Sequence, residues 1–181
     1  QTIPQCYTQV FHQQYLKKSE VTSDSSKNRV TESIHLRNRN FIPVVFHIVY
    51  QNDEENVSNE QIFAQLDRLR SVAAVADIVF CLANIDANGE STSGITRKLT
   101  EESTIGNPRT QAIKYTQLGG VDAWSPDKYL NIWIGNTGVN LLGYATFPDA
   151  AGKDIDGIVL HPKYFGTLSS PLLNPPYTMG K

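Results

Sequence analysis

Phe41-Ile-Pro-Val-Val-Phe-His-Ile-Val-Tyr50 is the stretch that decides the fold. β-Branched and aromatic residues fill it, and no Asp, Glu, Lys or Arg interrupts it, so it reads as a buried strand. Pro43 belongs near its start, where the missing N–H does least harm. Downstream, Asn52–Asn56 is an acidic turn. Ser58-Asn-Glu-Gln61 then has the form of a capping box, and Ile62, Leu66 and Leu69 follow at helical spacing, so a helix begins at Asn59. Asp77–Ala83 is a second strand, closed by the turn Asp86-Ala-Asn-Gly89. Tyr129–Ile134, Leu141–Phe147 and Gly157–Leu160 are three more. A strand, a helix and four further strands imply an α/β layer: a mixed, mostly parallel five-stranded sheet with covering helices.

Upstream of Phe41 the chain changes character. Residues 1–40 are polar and carry Lys17, Lys18, Lys27, Arg29, Arg37 and Arg39 against Glu20, Asp24 and Glu32. This is the composition of a linker or pro-segment, followed by one domain over 41–181. A chain of 181 residues is long enough for a genuine core, since such a size buries roughly 70% of its unfolded surface. The net charge of −2 gives no electrostatic reason to expect nucleic acid or an anionic membrane as partner. No apolar run approaches the ~20 residues a membrane helix needs.

Chemistry is sparse. Four histidines, His12, His35, His47 and His161, include no pair at the i, i+4 spacing that sets two imidazoles on one helix face for zinc. His47 lies inside an apolar strand and reads as a core residue, and His161 reads as surface or packing. There is no Gly-x-Ser-x-Gly elbow. Cys6 and Cys81 are the only cysteines, and the sequence leaves open one disulfide or two thiols.

The succession Asp122-Ala-Trp-Ser-Pro-Asp-Lys-Tyr-Leu-Asn-Ile-Trp133, Leu141-Leu-Gly-Tyr-Ala-Thr-Phe-Pro148, Asp156-Gly-Ile-Val-Leu160, Tyr164-Phe-Gly166 and Tyr177-Thr-Met-Gly-Lys181 resembles a known family. It is similar to the segment just ahead of the zinc-binding helix in pappalysin-like (cytophagalysin) metallopeptidases of the metzincin clan. The resemblance covers about Phe41 to Lys181 and implies the upper, N-terminal subdomain of a metzincin catalytic domain. It also implies secretion, zinc-dependent hydrolysis of extended peptide or protein substrates, and a zinc motif and general base beyond Lys181. Zinc is thus the implied cofactor, with ligands outside this chain, and calcium is compatible with the family.

Two candidate sites follow from the resemblance. The strand holding Leu142, Gly143, Tyr144 and Ala145 corresponds to the upper rim of the cleft, where an edge strand pairs with substrate. Small Gly143 and Ala145 would admit a substrate backbone. Cys6 corresponds to a latency ligand on the zinc, although Pro-Gln-Cys-Tyr differs from the family's Arg-x-Cys-Gly. A second reading is a non-catalytic peptide-binding module or an inactive protease fragment. Three structural expectations accompany these. The strand at 141–147 is an edge strand, antiparallel to its neighbour. The first helix stops after about three turns. Ile158, Leu160 and Phe165 are left exposed.

Overall fold

The computed structural model describes residues 40–138, 140–147 and 153–166. Its centre is β1 (Asn40–Tyr50), which is followed by helix α1 (Asn59–Ala73) and β2 (Ile78–Leu82). Four more strands complete the element order: β3 (Ile95–Leu99), β4 (Leu130–Ile134), β5 (Gly143–Ala145) and β6 (Ile158–Leu160). The sheet runs β2-β1-β4-β6-β5, with β3 also paired to β1. Every pairing is parallel except that of β5 with β6.

Among the described residues the sheet therefore has six strands rather than five. The additional strand is β3, whose sequence Ile-Thr-Arg-Lys-Leu carries two charges and hides its strand character. β2 and β3 lie end to end along one side of β1. β2 pairs with Asn40–Val44 and β3 with Phe46–Tyr50. Between them the chain leaves the sheet at Ala83 and returns at Gly94, whose carbonyl accepts from Phe46 N. Gly94 has φ +71°, and a Cβ there would lie 2.8 Å from the Ala83 carbonyl oxygen, so only glycine closes this excursion without strain.

α1 starts where its capping box places it. The Ser58 hydroxyl accepts from Gln61 N, and the Gln61 side chain accepts from Ser58 N. The helix runs for 15 residues and passes into a 3-10 turn at Ala74–Ala76, longer than the three turns expected. Arg70–Ala73 extends it, because Leu69, Val72 and the alanines are compatible with helix even though Val72 points outward. Asp77, at φ 54°, ends the turn, since an Asp side chain tolerates the left-handed region.

Alternation along the strands divides the core in two. Val44, Phe46 and Ile48 of β1, with Ile132 and Ile134 of β4, pack against Ile62 and Leu66 of α1. Val49, Trp133 and Val159 face the other way, under Ile105 and Ile113 from the irregular segment between β3 and β4. Phe165 belongs to the first core, 1% exposed, with its ring edge-on to Phe46 at 6.0 Å. Ile158 and Leu160 are partly buried against the same core. The expectation that these three are exposed is corrected: Phe165 lies in the core that includes Ile62 and Leu66 of α1, and Ile158 and Leu160 pack against it.

Candidate functional site

β5 is the last strand of the sheet, and among the described residues it pairs only with β6. Gly143, Tyr144 and Ala145 stand opposite Leu160, Val159 and Ile158. Thr146 N donates to Gly157 O at 3.0 Å and His161 N to Leu142 O at 2.9 Å, which extends the ladder at both ends. An edge strand antiparallel to its neighbour is what the sequence led us to expect. The neighbour differs, however. A connection as short as Gly135–Asn140 favours β4 and β5 as antiparallel neighbours, whereas β6 lies between them. Asn136 shapes that connection: its side chain accepts from Gly138 N at 2.9 Å and donates to Glu55 at 3.0 Å.

The four candidate residues differ in what they offer. Leu142 is 51% exposed, and Phe147 just beyond the strand is 79% exposed, so apolar surface flanks the free edge. Ala145 is exposed as well. Gly143 serves its own sheet: a Cβ there would lie 2.5 Å from Val159 O and 2.8 Å from the Leu160 side chain. Its smallness admits β6 rather than an incoming chain, which corrects the reason given for it above. Tyr144 turns inward onto the second core, and its hydroxyl is buried with no hydrogen-bond partner among the described residues. Burial pushes its pKa up to about 12.

Beneath Tyr144 lies Lys114, which no motif or spacing singles out. It ends a 3-10 turn at Ala112–Lys114, held in place by the fully buried Ile113, and is itself 1% exposed. Its Nζ donates to Ile155 O and to Thr146 Oγ1, and sits 5.4 Å from the ring centroids of both Trp133 and Tyr144. Burial lowers its pKa, and the carboxylates of Asp156 and Asp154 oppose that shift.

His47 has a different role. It is wholly buried between Trp124 and Trp133. Asn131 accepts from Trp124 N and donates to Trp124 O, which fixes its amide with Oδ1 toward His47 Nε2 at 3.1 Å. Nε2 must therefore carry the proton, and Nδ1 accepts from Thr96 Oγ1 at 2.8 Å. Desolvation lowers its pKa to about 4, against a smaller upward effect of the Asn131 hydrogen bond. Both ring nitrogens are satisfied within the core, so this is a structural histidine, as its apolar surroundings in the sequence suggested.

His161 caps the 3-10 turn Pro162–Tyr164 by accepting from Lys163 N at 3.1 Å. Burial lowers its pKa, while Glu55 acts to raise it and Lys163 to lower it. Among the described residues no group of three or more His, Cys, Asp or Glu side chains could hold a metal. These residues do not fit a zinc centre. Cys81 is 2% exposed and disulfide-bonded, whereas Cys6 lies outside the described residues.

Solved structures share this fold. This chain matches mature mirolysin of Tannerella forsythia in complex with a cleaved peptide with a TM-score of 0.71. Identity is 37%, over 78% of this chain and 59% of that one. The chain has the mirolysin fold over the part it spans. Mirolysin in complex with compound 9 gives a TM-score of 0.68 and 37% identity, over 77% of this chain and 58% of that one. A promirolysin point mutant from Tannerella forsythia gives 0.70 and 34% identity, and covers 95% of this chain and 60% of its own. The chain thus spans about three fifths of the mirolysin structures it matches. It is similar, at 34–37% identity, to a metalloprotease. No protein-family model and no curated protein matches it.

Proposed function

We propose that this chain forms the substrate-binding part of a secreted, mirolysin-like metalloendopeptidase, with β5 as the strand that receives an extended peptide. The observation that carries the reading is the outer edge of β5, with which no other described strand pairs, flanked by exposed Leu142 and Phe147. An edge strand offers unpaired N–H and C=O groups to which a peptide adds as a further strand, while side-chain pockets select alternate residues. The likeness to a mirolysin structure solved with a cleaved peptide supports a peptide as the ligand here.

In this proposal the zinc, its ligands and the general base belong to chain outside the described residues, because the described ones do not fit a metal. Residues 1–40 act as a pro-segment; the wider match to promirolysin, 95% of this chain against 78% for the mature form, is in keeping with that. A latency role for Cys6 requires a free thiolate and competes with a disulfide to Cys81, the only other cysteine of the chain.

The alternative is a non-catalytic peptide-binding module, favoured by the lack of a metal-holding group among the described residues. The two readings share β5 and part over hydrolysis. The test titrates the full chain with an extended apolar peptide and with its twin N-methylated at alternate residues. The expectation is that methylation on the pairing face weakens binding at least tenfold and that methylation on the other face does not. Equal loss from both sets would refute strand addition. Chelator-sensitive cleavage of a peptide would decide against the binding module.

A further inference from the structure

We propose that Lys114 is a positioning residue for β5: its buried ammonium ties the segment leaving β5 to the segment entering β6, and so sets the shape of the binding edge. The significance for peptide capture rests on the reading of β5 given above; the hold on the strand does not.

Lysine is almost never fully buried without partners. Here the ammonium has four, and three of them lie on β5 or the segments beside it. Its hydrogen bonds reach Thr146 Oγ1, directly after β5, and Ile155 O, shortly before β6. Thr146 Oγ1 in turn donates to Ile155 O at 2.7 Å, which closes a three-membered polar cluster across the two segments. The remaining face of the ammonium meets Tyr144, the central residue of β5, and Trp133 of β4, each at cation–π distance. Since the Tyr144 hydroxyl has no partner among the described residues, its ring is held by packing and by this cation. Asp154 and Asp156 flank the cluster and favour the charged lysine that it requires.

A lysine that merely fills the core would loosen β1 and β4 along with the edge. A positioning lysine loosens the edge alone. Amide hydrogen exchange on the full 181-residue chain separates the two. In Lys114→Met, which keeps the aliphatic stem, the amides of Thr146 and His161 should exchange at least tenfold faster, and those of β1 less than twofold faster. Lys114→Arg, which retains charge and donors, should recover most of the protection. Should Lys114→Met fail to fold, Thr146→Val removes one acceptor and should speed the same amides about threefold. Unchanged exchange at Thr146 and His161, or an equal rise throughout β1, would overturn the proposal.

The peptide titration is run in parallel. Weaker binding by Lys114→Met, with the stem intact and the edge loosened, completes the case. Wild-type affinity in a variant whose edge is loosened would overturn the link between hold and capture. A wild-type chain that binds no peptide, yet shows the predicted exchange pattern, would refute the peptide reading and leave the hold of Lys114 upheld.

Discussion

Acidifying the protein from pH 7 to pH 4 should remove about 3 kcal/mol of stability through His47 alone. In the unfolded chain this imidazole titrates near 6.5; in the folded chain burial brings it to about 4. Below 6.5 the unfolded state takes up a proton that the folded state refuses. The stabilisation is therefore complete above about 6.5 and is lost as pH falls towards about 4. At 1.36 kcal/mol per pH unit, the gap between those values gives the figure of about 3 kcal/mol. A typical domain has only about 5–15 kcal/mol in total, so the effect is large. Urea unfolding at a series of pH values measures it, and the probe is built in, because Trp124 and Trp133 both lie against His47. His47→Gln, which cannot titrate, serves as the reference: carboxylates and His161 contribute alike to both proteins and cancel in the difference. The variant is less stable at pH 7, having lost its fit to Thr96 and Asn131, but its curve should be flatter by about 3 kcal/mol between pH 6.5 and 4. Parallel curves for the two proteins would show that the ring is reached by water and that the sealed-histidine argument is wrong.

Three further outcomes are expected. Phe165→Ala should cost about 3–5 kcal/mol in urea unfolding, because the ring is buried against Phe46; a loss below about 1 kcal/mol would mean that the turn after β6 is not part of the core. Gly143→Ala should cost about 1–3 kcal/mol and raise exchange at His161, because the new methyl meets Val159 O; a neutral effect would show that β5 moves freely on β6. Ser58→Ala should cost about 1 kcal/mol, the usual loss for removing a helix N-cap, with a loss of helical ellipticity confined to melting temperatures near the transition.

The elements of this protein are largely local matters, and its sequence determined them. Ser58 and Gln61 begin α1 whatever surrounds them, because a capping box satisfies the first helical N–H groups from within four residues. The strands at Phe41, Tyr129 and Gly157 announce themselves as apolar, β-branched runs, and each forms within a residue or two of its expected ends. The likeness to a metalloprotease was legible in the last third of the chain, from Asp122 onward. Tertiary structure decided the rest. β3 becomes a strand because β1 offers an unpaired half, and its own composition gives no warning. The insertion of β6 between β4 and β5 follows from where apolar faces can be covered, which no connection length reveals. Gly143 is small for the sake of Val159, a residue sixteen positions away that only folding brings near. Lys114 shows the limit most clearly. Among charged residues on a page it is one of many, and it acquires meaning only when Trp133, Tyr144, Thr146 and Ile155 converge on its ammonium. Local propensity is encoded over a few neighbouring residues, whereas a buried charge depends on partners gathered from three separate segments.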